Sequence, residues 1–313
     1  MKGSYNNALK NINRLPETHR DMMMRLYGFY GEPQTADEIA DYCNSIHLNV
    51  ETWQVEALIE EGMQMARTDI PLVKREEARS FHVNLYHENC REEEQDLVNM
   101  GFIPIYSSSI SCEMPGREAY ANLTLLVKNP AGLENLGEIM LRDEDDWIAR
   151  MLNERDLNFV LDHGEGLLLG DSLTWYDINQ LLYEEEKGTD IKSYLATCYE
   201  HIDFIRMPYL GILFGYQDAD FESANSEVKK ERQGKIREMG KKAAYIFEEL
   251  GKPVIYQLDT YDAKTEYIYD YIYLGEDLAR KTVLGNPNKI AETLEIIQPS
   301  NPALKPFLQL AVK

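Results

Sequence analysis

The spacing of apolar residues in this chain changes period near Ile70, and that change constrains the fold more than any other feature. Over residues 5–66 apolar side chains recur at three- and four-residue steps, the repeat of a helix with one buried face. Leu9, Ile12 and Leu15 lead to Pro16, and Met22, Met23, Leu26 and Phe29 precede Gly31. Thr35 opens a third helix, with Glu38 completing a capping box. Trp53, Val55, Leu58 and Ile59 mark a fourth. Beyond Ile70 the repeat falls to two: Phe81, Val83 and Leu85 alternate with polar residues, and 102–106 and 123–127 are further strand-like runs. Residues 79–128 therefore read as an extended β arm, interrupted by an acidic helical piece from Arg91 to Met100.

The helical period then returns. Leu133, Leu136, Met140, Trp147, Met151 and Leu152 predict one long helix over 133–155, followed by a short strand at 159–161. Thr174, with Asp177 three residues on, caps a helix that Gly188 stops. A long helix over 222–250 feeds an expected hairpin of 254–258 and 267–274. The predicted class is α+β: a helical N-terminal region over 1–70, a β arm over 71–130, and a long helix with a mixed α/β lobe over 131–313.

Charge narrows the function. With 32 basic and 54 acidic residues the chain carries −22 at pH 7, a balance that repels DNA phosphates and anionic lipid. No partnership with a membrane and no sequence-specific binding of nucleic acid are expected. Four widely spaced cysteines without a Cys-x-x-Cys pair, no leader-like start and no long apolar run together predict a cytoplasmic protein.

Several local patterns resemble chemistry. Leu167-Leu168-Leu169-Gly170-Asp171-Ser172-Leu173 resembles the nucleophile block of the SGNH (GDSL) esterases, which makes Ser172 a catalytic candidate. The resemblance also implies a C-terminal Asp-x-x-His, and the only histidine after Ser172 is His201, preceded at three residues by Cys198. Gly164-Glu165-Gly166 is followed by leucines rather than a helix start, so it reads as a turn and not a phosphate cradle. Cys43, His47, His82, His87 and Cys90 are the only metal-like grouping, without the paired spacing of a zinc site, and no metal or cofactor is expected. Residues 35–62 have the rhythm of a helix-turn-helix, but Glu51, Glu56, Glu60 and Glu61 without any Lys or Arg make the second helix unfit for DNA.

Two features point to protein contact. Lys229, Lys230, Arg232, Lys235, Arg237, Lys241 and Lys242 place seven of the 32 basic residues on one helix. Tyr267, Tyr269, Tyr271 and Tyr273 alternate as a ladder on the last strand, a composition favoured at interfaces. Both sets are candidate interface residues, for a second copy of this chain or for another protein.

The order of these elements resembles the HK97-type major capsid proteins of tailed phages. The resemblance implies residues 1–70 as arm, 79–128 as extended loop, 133–155 as spine helix and a lobe opening near Thr174-Trp175-Tyr176-Asp177-Ile178. It implies a non-catalytic, self-assembling coat subunit. Two other functions are carried beside it: an acidic inhibitor that mimics nucleic acid, and an esterase acting through Ser172.

Overall fold

The computed structural model describes residues 12–13, 15, 17–46, 48, 50–67, 80–84, 103–115, 117, 120–140, 155–208, 226–255, 276–295 and 297. The α+β class expected from the sequence is what it shows. The chain divides into two units: Met1–Val73 with Tyr209–Glu238 and Lys264–Ala279, and Lys74–Pro208 with Met239–Ala263 and Arg280–Lys313.

The first unit is helical. Helix α1 spans Glu17–Leu26, α2 Ala36–Ser45 and α3 Thr52–Arg67, and the first half of the long helix α8 (Ser226–Glu249) belongs with them. The capping box is present: the Glu38 N–H donates to the Thr35 hydroxyl at 3.3 Å, and the Thr35 N–H donates to the Glu38 carboxylate at 2.7 Å. The Asn44 amide serves as a substitute backbone between α2 and α3, donating to the Val50 carbonyl at 3.0 Å and accepting its N–H at 2.7 Å. Met22, Met23, Ile39, Cys43, Trp53, Val55 and Leu58 form the buried face. The acidic residues of α3 and its approach meet the basic residues of α8. Lys229 donates to Glu51 at 2.7 Å and Lys230 to Glu56 at 2.6 Å, while Glu61 accepts from Arg237 at 2.5 Å and bonds His19 at 3.0 Å.

The second unit is built on a six-stranded sheet in sequence order. Its strands are β1 Ser80–Asn84, β2 Ile103–Cys112, β3 Ala121–Val127, β4 Leu167–Ser172, β5 Phe204–Arg206 and β6 Val254–Ile255. Strand β3 runs against its two neighbours, and the other five share one direction. The connections carry α4 (Pro130–Met140), α5 (Leu157–Asp162), α6 (Trp175–Glu186), α7 (Ile191–Cys198) and the second half of α8. The chain continues through α9 (Glu276–Arg280), a π-helical segment (Lys281–Gly285) and α10 (Asn286–Glu292). Pro287 sits in the first turn of α10, and its missing N–H breaks the regular ladder just where the wider π turns lie.

Helix α10 lies against both edge strands, β1 and β6. Six flat strands would put those edges about 24 Å apart, and a seven-residue helix is only about 10 Å long, so the sheet bows around it. Register assigns the two faces. Ile105, Leu126, Leu168, Phe204 and Ile255 share the face that packs on Ile290 of α10. On the other face Ile110, Leu123, Asp171, Ile205 and Val254 stand opposite one another across five strands, a buried row with one polar member.

Strand β6 is two residues long, and side chains add to the main-chain bonds that hold it on β5. The buried Asn286 amide donates to the Val254 carbonyl at 2.7 Å, and the Glu248 carboxylate accepts the Val254 N–H at 2.8 Å. Asn286→Ala leaves that carbonyl without this donor and is expected to destabilise by about 2 kcal/mol. Urea unfolding checks it, as a lower midpoint at unchanged slope.

Of the predicted 133–155 helix the structure shows α4, Pro130–Met140, and residues 141–154 lie outside the described residues. Arg155 closes α4, its guanidinium donating to the Ile139 carbonyl at 2.7 Å and the Met140 carbonyl at 3.3 Å. The strand expected at 159–161 is helix α5, because Asp156 caps it by accepting the Phe159 N–H at 3.0 Å. Residues 79–128 supply β1, β2 and β3 of the sheet. Strand β6 pairs in parallel with β5, and the return arm of the expected hairpin lies outside the described residues.

Candidate functional site

The sequence Gly170-Asp171-Ser172 ends β4, and each residue faces something different. A Cβ on Gly170 would stand 2.1 Å from the Phe204 ring, so the glycine makes room for that ring on the α10 face of the sheet. Ser172 lies on the same face, its hydroxyl 3.4 Å from that of Thr124. Asp171 points the other way, into the aliphatic row.

Nothing among the described residues equips Ser172 as a nucleophile. His163 bonds the Phe159 carbonyl at 2.8 Å and packs on the Phe159 ring, and His201 is exposed. A serine needs an oriented base to take its proton, and the partner here is another hydroxyl. The glycine turn before β4 is likewise structural. Gly166 has φ +74°, and a Cβ on Gly132 would lie 1.7 Å from its carbonyl oxygen, so helix α4 begins against the backbone of the turn.

The buried charge of the sheet gathers at Asp171. Arg117, from the segment between β2 and β3, reaches over the carboxyl ends of the strands and forks to two carboxylates, Asp171 on β4 and Asp177 in the first turn of α6. All three side chains are at most 8% exposed. Asp177 also keeps its capping duty, accepting from the Thr174 N–H at 2.6 Å and the Thr174 hydroxyl at 2.7 Å. Tyr199, buried just after α7, places its ring 5.9 Å from the Arg117 guanidinium and meets Phe247 of α8 edge-on at 5.1 Å.

Burial, joined by the second carboxylate Asp177, holds the Asp171 carboxyl up at about 7 against the opposing pull of Arg117 and the Ser172 N–H. One Asp171 oxygen takes the arginine, and the other, Oδ1, is buried without a hydrogen-bond partner. Burial works to lower the Arg117 pKa, but Tyr199, Asp171 and Asp177 outweigh it and hold the guanidinium charged. Burial raises the Tyr199 phenol well above its ordinary value.

The carboxyl ends of parallel strands are where α/β sheets place ligand chemistry. Here the two carboxylates at that end are bridged by the chain's own guanidinium. No group of three or more His, Cys, Asp or Glu among the described residues is arranged to hold a metal ion. Cys43 is buried, with desolvation raising its thiol above the ordinary range. His82 is described only as a backbone position of β1, opposite Ile105. His47, His87 and Cys90 lie outside the described residues, as do Tyr267, Tyr269, Tyr271 and Tyr273.

The structure spreads the basic residues of α8 along both halves of the helix. Lys229 and Lys230 meet Glu51 and Glu56, Lys235 pairs with Glu231 at 2.8 Å, and Lys242 pairs with Glu185 of α6. Arg232 and Lys241 are half-buried on the same helix.

No family model matches the chain. Part of it has relatives. The chain is similar to DNA polymerase III of the PolC type. It is 22% identical over 208 residues to that polymerase from Clostridium perfringens and 28% identical over 204 residues to the one from Caldanaerobacter subterraneus. Against the Streptococcus sanguinis polymerase it is 25% identical over 211 residues. The alignments cover 56–57% of this chain and 14% of each relative, so the chain spans about one seventh of their length.

These matches correct the expected function. They name replication enzymes, not coat or virion proteins, and the layout likeness to the HK97 fold gives way to them. A phage coat subunit, a nucleic-acid-mimicking inhibitor and an esterase are all left without support. Element order is a weak guide because strands and capped helices in the same sequence order serve many unrelated proteins.

Proposed function

We propose that this chain acts in DNA replication as a module of the kind that forms one segment of PolC-type DNA polymerase III, making protein contacts rather than adding nucleotides. The observation that carries this reading is the similarity to three such polymerases over more than half of the chain. Two features of the chain itself support the division of labour. Among the described residues, the strand-end carboxylates Asp171 and Asp177 are engaged by Arg117 and so are not offered to a catalytic cation. A net charge of −22 disfavours a grip on DNA and leaves replication proteins as the natural partners, in the cytoplasm.

Sedimentation of the purified chain with the Clostridium perfringens polymerase tests the reading, followed by extension of a primed single-stranded circle by that enzyme. The expected result is a complex with a Kd near 1 µM or tighter, on the order of −8 kcal/mol, and a changed distribution of product lengths. Independent sedimentation together with unchanged products would overturn it.

A further inference from the structure

The Arg117 cluster holds two carboxylates against one guanidinium in a place closed to water. Asp171 stands in a row of aliphatic side chains, with Leu123 opposite it on β3 and Ile205 on β5. The charged and titratable groups around it are Arg117 from the segment after β2, Asp177 from α6 and Tyr199 from the turn after α7. Tyr194 and Cys198 of α7 stand around Arg117 and carry no charge of their own at neutral pH, since burial raises both.

The two carboxylates are not equivalent. Asp177 is held by three donors, the Arg117 guanidinium and the N–H and hydroxyl of Thr174, and it lies at the N-terminus of α6, where negative charge is favoured. Asp171 is fully buried, accepts from Arg117 through one oxygen, and leaves Oδ1 without a partner. When like charges share a site, the less well solvated one takes the first proton.

We propose that the clasp is proton-controlled: Asp171 takes up a proton from solvent on mild acidification and leaves Arg117 to Asp177 alone. Protonation removes one of the two charge-assisted contacts that fix Arg117, so the segment between β2 and β3 changes from being held by strand and helix together to being held by the helix. The raised Asp171 carboxyl agrees with this direction. The sign for global stability is opposite to the usual acidic case. The folded state binds the Asp171 proton more tightly than the unfolded chain, so this group stabilises the fold as pH falls toward the ordinary aspartate range.

The test follows the Asp171 carboxyl carbon and the exchange of the Arg117 guanidinium protons by NMR, on the full chain. Between about pH 5 and about pH 8 the Asp171 carbon is expected to titrate. Arg117 exchange, corrected for its intrinsic pH dependence, is expected to be roughly tenfold faster at the acid end. Asp171→Asn, which imitates the protonated form, is expected to show the fast exchange at both ends. A flat Asp171 carbon would overturn the proposal, as would equal Arg117 exchange in Asp171→Asn and wild type at the alkaline end. If Asp171→Asn does not fold, the carbon titration of the wild type decides alone.

Discussion

Gly170→Ala is expected to lower the stability of the sheet unit by about 3 kcal/mol, the upper end of what overpacking a core does. The reason is local. The added methyl would lie 2.1 Å from the Phe204 ring, a contact that no rotation of the methyl relieves. The ring has nowhere to retreat, because it is 1% exposed and belongs to the cluster with Ile105, Leu126, Ile255 and Ile290. A drop of that size corresponds to roughly 6–12 °C in thermal midpoint for a unit of this size. Phe204→Leu alone costs about 1 kcal/mol but shortens the obstructing side chain. Combined with Gly170→Ala it is therefore expected to give a double variant more stable than the two single losses predict. A coupling of 1.5 kcal/mol or so in that cycle would identify the clash, and strictly additive losses would show that Gly170 matters for another reason.

How far the sequence exposes this arrangement depends on the range over which each interaction acts. Both capping boxes, at Thr35 and Thr174, are legible because cap and acceptor lie three residues apart and the geometry repeats from protein to protein. The apolar run of 167–169 is plain in the sequence, but it reads there as part of an esterase-like block and not as a strand of this sheet. Its face assignment is hidden as well, since alternation fixes which residues share a face only once the neighbouring strands are in register. For that reason Gly-Asp-Ser reads as an esterase block in the sequence, while in the fold the glycine and the serine face one side of the sheet and the aspartate the other. Arg117 carries no local signal at all. It follows Met114-Pro115-Gly116 in an undistinguished stretch, and its partners are 54 and 60 residues away. Arg155, which closes α4 from 15 and 16 residues downstream, was hidden for the same reason. The short apolar run at Phe159 shows the opposite failure, because a run of that length suits strand or helix equally and Asp156 decides between them.

Arg117→Met is expected to be the other severe change, with a loss of about 3–5 kcal/mol at pH 8. The methionine stem fills much of the volume, so the loss reflects charge rather than a cavity. It strands Asp171 with no donor from a side chain, while Asp177 keeps its bonds to Thr174. Arg117→Lys keeps the charge but not the fork, and a point charge cannot serve carboxylates on two different elements at full strength. It is expected to recover only part of the loss. The pH dependence has a definite sign. Without the guanidinium only the Ser172 backbone N–H still works against burial at Asp171, so its folded pKa rises further above that of the unfolded chain. The variant then gains stability relative to wild type as pH falls and loses it as pH rises. Chemical denaturation across that range would show the gap between the two proteins widening toward alkaline pH. Asp171→Asn placed in the Arg117→Met background removes the stranded charge, and most of the loss should return with it. Should the double variant be as unstable as Arg117→Met alone at every pH, the buried carboxylate would not be the source of the loss, and the packing of the arginine stem against Tyr199 would have to carry it instead.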